Sequence, residues 1–108
     1  MYKPKMKNII VITTVRSRNE AKELAKKIVL SKLGACVQVS KIKSYYKWKE
    51  NLETSDEFRL MIKTVNKKYE ALEKFILKNH KYDVPQIIAI NISKGYDKYL
   101  NWINEETK

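Results

Sequence analysis

Two consecutive extended runs in the middle of the chain, each about 10–14 residues long, far exceed the ~6 residues of an ordinary strand. The first opens at Ala35-Cys36-Val37 and continues through Tyr45-Tyr46-Lys47-Trp48. In the second, Phe58, Leu60 and Ile62 alternate with Arg59, Met61 and Lys63, giving one apolar face. Between them Lys49 to Asp56 is polar except for Leu52, which suits a hairpin tip. Strands this long must overhang a sheet whose other strands are shorter. An overhang bearing Tyr45, Tyr46 and Trp48 leaves apolar surface wet unless several subunits cover it. In the first run the apolar positions are odd-numbered at Val37 and Val39, then even-numbered at Ile42, Tyr46 and Trp48. That parity change predicts a β-bulge near Ser40-Lys41.

The flanking segments fix how such a hairpin can be used. Asn8 to Val15 is almost entirely β-branched and predicts a strand buried on both faces. Ser17 precedes Glu20 by three, a capping-box spacing, and Ala21, Leu24, Ala25 and Ile28 follow at helical intervals, with Gly34 as the expected stop. Asn66 is placed to cap a second helix carrying Tyr69, Leu72 and Ile76. Pro85 has no N–H and pushes Val84 towards an extended conformation, so the apolar run Ile87 to Ile92 is a strand. Gly95 then leads into a short helix with Tyr96, Tyr99, Leu100 and Ile103. The order is β-α-β-β-α-β plus a terminal helix, and each strand-helix-strand passage is about 20 residues, enough for a right-handed crossover. The expected fold is α+β, a ferredoxin-like split βαβ with two helices on one face of a four-stranded antiparallel sheet. All of residues 1–108 form one domain, with 1–7 as a basic N-terminal tail.

Composition narrows the function. No apolar run approaches the roughly 18–20 residues that span a bilayer, and the basic start lacks a small-residue cleavage site, so no membrane role is expected. Cys36 is the only cysteine, which excludes an intrachain disulfide and points to a reducing compartment. The net charge of +11 suggests polyanions, yet only Arg16, Arg18 and Arg59 among the 23 cations are arginines. The lysines are spread along the chain, and lysine does not imitate the planar fork used for base and phosphate recognition. Weak salt-dependent attraction to polyanions follows; specific nucleic-acid binding does not. An RNA-binding version of this element order needs aromatics on the two central strands. Here the first strand has none and the third has only Phe58.

The segment His80-Lys81-Tyr82-Asp83-Val84-Pro85-Gln86 gathers the only histidine, an aromatic and a carboxylate at the mouth of the last strand. Neutral imidazole suits Cu(II), Zn and Ni, and Cu(II) has the highest intrinsic affinity. The closely spaced Cys/His pairs of a structural zinc site are missing. A packed corner, with His80 hydrogen-bonded at a subunit junction, is the competing reading. Cys36 reads equally as an inert buried thiol, and Glu57 with Lys63 as an ordinary charge pair. For catalysis there is no Gly-rich phosphate loop, since the first strand runs into Val15-Arg16-Ser17-Arg18-Asn19, and no second histidine stands by a nucleophile. No enzyme is expected. Only Arg16 and Asn19 hint at the phosphate-gripping loop of an acylphosphatase-like hydrolase of the same topology.

From about Asn8 to Asn104 the chain resembles the CutA divalent-ion-tolerance family. The marks are Gly34-Ala35-Cys36-Val37, Ser44-Tyr45-Tyr46-Lys47-Trp48, Glu57 ahead of Ile62-Lys63-Thr64, His80 to Pro85, and Tyr99-Leu100-Asn101-Trp102-Ile103. The resemblance implies a cytoplasmic homotrimer built from sheet-edge pairing and the long hairpin, with a link to copper and other divalent cations. It also implies Glu57 and Cys36 as companions of His80 in a metal site, and Tyr45, Tyr46, Trp48, Tyr82, Asp83, Pro85 and Trp102 at interfaces or clefts. Three positions depart from the family pattern. Glu50-Asn51 stands where a glycine is usual, and Asn tolerates positive φ. Lys81 replaces a proline, which loosens the corner. Gln86 stands where many relatives have Glu, which removes a carboxylate from the cluster. The expected function is weak binding of Cu(II) or another divalent cation at clefts between subunits. The alternatives are a sensing trimer resembling PII regulators, which would take a small anionic ligand in the same clefts, and the hydrolase.

Overall fold

A computed structural model describes residues 7–108; residues 1–6 of the basic tail lie outside the described residues. The elements are β1 (Asn8–Val15), α1 (Arg18–Leu30), β2 (Cys36–Trp48), β3 (Asn51–Val65), α2 (Tyr69–Asn79), β4 (Ile87–Asn91) and α3 (Asp97–Glu106), with a 3-10 turn at Asn66–Lys68 before α2. The strands form one sheet in the order β2-β3-β1-β4. Every pairing is antiparallel. This is the α+β split βαβ arrangement expected from the element order.

The sheet's two faces are used differently. On one face Ile9, Val11 and Val15 of β1 join Leu60 and Ile62 of β3, and α1 (Ala21, Leu24, Ile28) and α2 (Leu72, Ile76) cover them. These apolar positions recur at helical intervals, so burying one stripe of each helix against the sheet removes it from water. On the other face α3 covers only one end, where Ile103 packs with Val65 and Ala35. Beyond α3 that face carries Ile88 and Ile90 of β4, which are 46% and 49% exposed.

Four local expectations are corrected. The β2–β3 register is unbroken from Cys36↔Lys63 to Trp48↔Asn51, so there is no bulge at Ser40-Lys41. The parity change has another cause. Val37 in the proximal half of β2 faces the helices, whereas in the distal half, beyond the helices, it is Ile42, Tyr46 and Trp48 that point to the opposite side. The hairpin tip is also far shorter than Lys49 to Asp56. Lys49 and Glu50 alone make the turn, with φ of 49° and 71°, and Asn51 to Asp56 belong to β3. Asn51 therefore does not supply the positive φ.

Gly34 is not the helix stop. Lys32 takes the left-handed conformation (φ 63°), and the Leu33 N–H donates to Ile28 O at 3.0 Å. Gly34 is needed for space: a β-carbon there would lie 2.6 Å from Ile62 Cγ2 and 2.9 Å from Ile28 Cγ2. Asn66 does not cap α2 with its side chain. It opens the 3-10 turn, and its N–H donates to Lys7 O at 2.8 Å. The Ser17 cap is present as expected, its Oγ accepting the Glu20 N–H at 3.1 Å.

A two-residue turn with both residues left-handed favours Asn-Gly, because only small or locally hydrogen-bonding residues avoid the Cβ clash. Replacing Lys49-Glu50 by Asn-Gly should raise stability by about 1–2 kcal/mol, read as a higher melting temperature. Gly34→Ala should do the opposite and cost about 1–3 kcal/mol through overpacking against Ile62 and Ile28.

Candidate functional site

The corner between α2 and β4 is tied to three other elements. His80 Nε2 lies 2.7 Å from Thr14 O at the end of β1, and His80 Nδ1 accepts the Tyr82 backbone N–H at 3.1 Å. A nitrogen that accepts from an N–H carries no hydrogen itself, so Nε2 is protonated and donates to the Thr14 carbonyl. Lys81 reaches Glu20 in the first turn of α1, at 3.3 Å. The Tyr82 ring tilts against His80, with centroids 4.8 Å apart, and its hydroxyl donates to Glu57 Oε2 at 2.9 Å. Glu57 sits in β3 opposite Ile42 and is only 7% exposed.

This contact has an electrostatic signature. Burial, and then the neighbouring Glu57 carboxylate, push the Tyr82 phenol up to about 12. Ionising Tyr82 would put a second negative charge beside Glu57 in a partly desolvated place. The Arg16 guanidinium, 5.8 Å from the Tyr82 ring centroid, acts the other way.

Beside this corner the long ribbon forms a groove of about 950 Å³. One wall is the ribbon, with Tyr46, Trp48, Glu53 and Glu57; the other is the corner, with Tyr82 and Asp83. Tyr46 OH and Ser55 Oγ share a hydrogen bond of 2.8 Å across the ribbon. The groove is unusual in so basic a chain. Glu53, Asp56, Glu57 and Asp83 line it, against only Arg16 and Lys81 on the positive side.

The fold brings some of the sequence candidates together and separates others. Glu57, Tyr45, Tyr46, Trp48, Tyr82 and Asp83 all line the groove, and Pro85 is half-buried in the loop behind it. His80 stands behind Tyr82 with both ring nitrogens already engaged, so within one chain it positions the corner and offers no free lone pair. Cys36 pairs with Lys63, six residues along β3 from Glu57, about 20 Å away at strand rise. One chain therefore does not bring Cys36 to Glu57. Trp102 stacks on Tyr99 of α3, with centroids 5.8 Å apart, and Tyr99 in turn lies near Lys63 at the Cys36 end of the sheet. Among the described residues no three His, Cys, Asp or Glu side chains converge as a metal-holding group. No helix among them is long and apolar enough to cross a membrane.

Three contacts escaped sequence reasoning: Tyr82 to Glu57, His80 to Thr14, and Arg16 to Tyr82. They join residues 25, 66 and 66 positions apart, respectively, and no spacing rule reaches that far.

The profile of the CutA1 divalent ion tolerance protein family matches residues 9–106. The chain belongs to that family. It is 42% identical over 102 residues to the chloroplastic CutA protein of Arabidopsis thaliana, covering 94% of this chain and 56% of that relative. It is 37% identical over 100 residues to the divalent-cation tolerance protein CutA of Archaeoglobus fulgidus, covering 93% of this chain and 97% of that one. The chain thus spans little more than half the length of the plant relative and nearly all of the archaeal one. Solved structures agree. CutA1 from Oryza sativa superposes with a TM-score of 0.92 at 38% identity, covering 95% of each chain. The Archaeoglobus fulgidus structure, described as a periplasmic divalent cation tolerance protein, gives 0.91 at 33% identity over 94% of this chain and 99% of that one.

For this CutA chain the Tyr82 contact makes a titratable prediction. A phenol raised above its ordinary value contributes stability that is complete below about pH 10 and is lost as pH rises through about 12. The Tyr82 ionisation should come late in a 295 nm titration, and Tyr82→Phe should remove that step, leaving Tyr69, which its hydrogen bond to Glu73 also raises, unaffected. The same variant should flatten the loss of stability between pH 10 and pH 12.

Proposed function

We propose that this CutA chain is a non-catalytic homotrimeric module of divalent-cation tolerance, and that the groove beside the ribbon is where it meets cations. The observation that carries the reading is Glu57, a nearly buried carboxylate on the groove wall, held in place by the Tyr82 hydroxyl. A buried carboxylate that is only partly neutralised by a phenol favours a cation nearby. The names of the relatives, divalent-cation tolerance proteins, support the same direction. The lining favours cations over anions, since its carboxylates outnumber its cations.

Binding is weak in this reading. Glu57 supplies one hard oxygen donor, Gln86 adds no charge, and any further donor comes from a neighbouring subunit. Copper remains the metal of choice on intrinsic affinity, with His80 holding Tyr82 and hence Glu57 in position. Trimer formation is supported by the overhanging ribbon and by the half-exposed Ile88 and Ile90 on the uncovered sheet face, which association would remove from water. The lone Cys36 supports a reducing, cytoplasmic setting.

Copper titration of the assembled protein tests the metal assignment. Wild type should bind, and Glu57→Gln should weaken binding about tenfold or more; superimposable isotherms would end it. Assembly is tested separately by light scattering. Trp48→Ala should cost about 2 kcal/mol or more as an interface anchor and shift the protein towards smaller species. A well-folded single protomer at micromolar concentration would remove the trimer from the proposal.

A further inference from the structure

The sheet face that α1 and α2 leave open carries a cation with no counterpart. Met61 of β3 stands in register with Ile12 of β1, and Ile12 with Ile88 of β4, so these three form one row across that face. Thr14, Arg59 and Ser40 form the next row. There the Arg59 Nε is buried without a hydrogen-bond partner. Arg16 and Arg18 each lie over an aromatic ring of their own chain, at 5.8 and 5.0 Å. Among the described residues Arg59 has neither such a ring nor an ion pair. A buried N–H on a charged group costs free energy until an acceptor meets it.

The chain's own carboxylates do not meet it. Glu57, two residues away on the same side of β3, has its Oε2 engaged by the Tyr82 hydroxyl. Glu53 lies on that side too and makes no ion pair among the described residues. It is six residues from Arg59, about 20 Å at strand rise, so the two cannot touch within one chain.

We propose that in the trimer a second copy lays its projecting ribbon on this open face, and that the partner subunit's Glu53 takes the Arg59 guanidinium. Glu53 is beyond Phe58, the last β3 residue paired with β1, so it projects past its own sheet. Tyr46 stands opposite Glu53 across the ribbon, so ring and carboxylate arrive together. Ile88 and Ile90, 46% and 49% exposed, offer the apolar surface for the ring, and Arg59 offers the fork that a carboxylate matches. Apolar surfaces alone fix register poorly; a desolvated charge pair fixes it well. The other unpaired carboxylate of the groove, Asp83, belongs to the corner loop and does not travel with the overhang. The inference rests on the homotrimer proposed above and names the contact that sets one copy against the next.

Thermal melting of the full chain at one fixed concentration, with light scattering on the same samples, tests the contact as a double-mutant cycle. Glu53 is exposed on the overhang, so Glu53→Gln does not put the protomer's own fold at stake. Glu53→Gln and Arg59→Gln should each lower the melting temperature by about 4 °C or more, and the double variant should fall no further than the worse single. Glu53→Arg should lower it further still, and adding Arg59→Glu should recover at least half of that loss, which a merely structural role for Arg59 does not allow. Asp83→Asn and Arg59→Gln should simply add. Additive losses for Glu53 and Arg59, or no recovery on charge reversal, would overturn the contact while scattering still shows the assembly. A wild-type mass of one protomer would overturn the homotrimer and this contact together.

Discussion

Everything in this molecule is hung on β3. At 15 residues it is nearly twice the length of β1, and it pairs with β2 on one side and with β1 on the other. Its proximal half is locked between β1 and β2 from Phe58 to Lys63, ends at Val65 against β1 alone, and contributes Leu60, Ile62 and Val65 to the two cores. Its distal half continues past the helices with β2 as its only partner. Glu57 lies at the boundary, the first position at which the sheet has narrowed to two strands. That placement explains why a carboxylate there is buried and still faces a groove: the core is on one side and the overhang on the other.

The corner at His80 to Pro85 completes the boundary. Pro85 directs the chain into β4, which pairs with β1, and this brings residues 80–83 up against the end of β1 and the beginning of the ribbon. Both imidazole nitrogens serve that geometry. With the histidine satisfied by a carbonyl and an amide, the phenol two residues on has a fixed aim, and the carboxylate it meets is held in one orientation. The orientation of Glu57 thus depends in part on backbone contacts of His80 that carry no charge.

Much of the fold was legible in the sequence because it rests on local periodicity. The β-branched run at Asn8 to Val15, the Ser17 cap, the alternation at Phe58 to Ile62 and the Pro85 boundary each read out through one short window. The errors came where tertiary context overrides that window. The parity change in β2 was read as a bulge, although it records which side of a straight ladder is covered. Gly34 looked like a helix stop, although its missing side chain serves the contact of Ile28 with Ile62. For the site, the residue types were visible and most of their partners were not. His80 and Glu57 were singled out as co-ligands, whereas the structure links them through Tyr82, and Cys36 belongs to the other end of the sheet. Such pairings depend on register between distant strands, which a single sequence does not encode in its spacing.

The sheet has unlike borders, a thirteen-residue β2 on one side and a five-residue β4 on the other. Joining β2 of one copy to β4 of the next would be head-to-tail, because the two borders are different surfaces. A head-to-tail joint either closes on itself or grows without limit, and the rotation between successive copies decides which. In the trimer proposed above, the coiling of the projecting β2–β3 ladder would bear on that rotation. Substitutions that flatten or unwind it threaten more than affinity: they risk converting a closed ring into a filament.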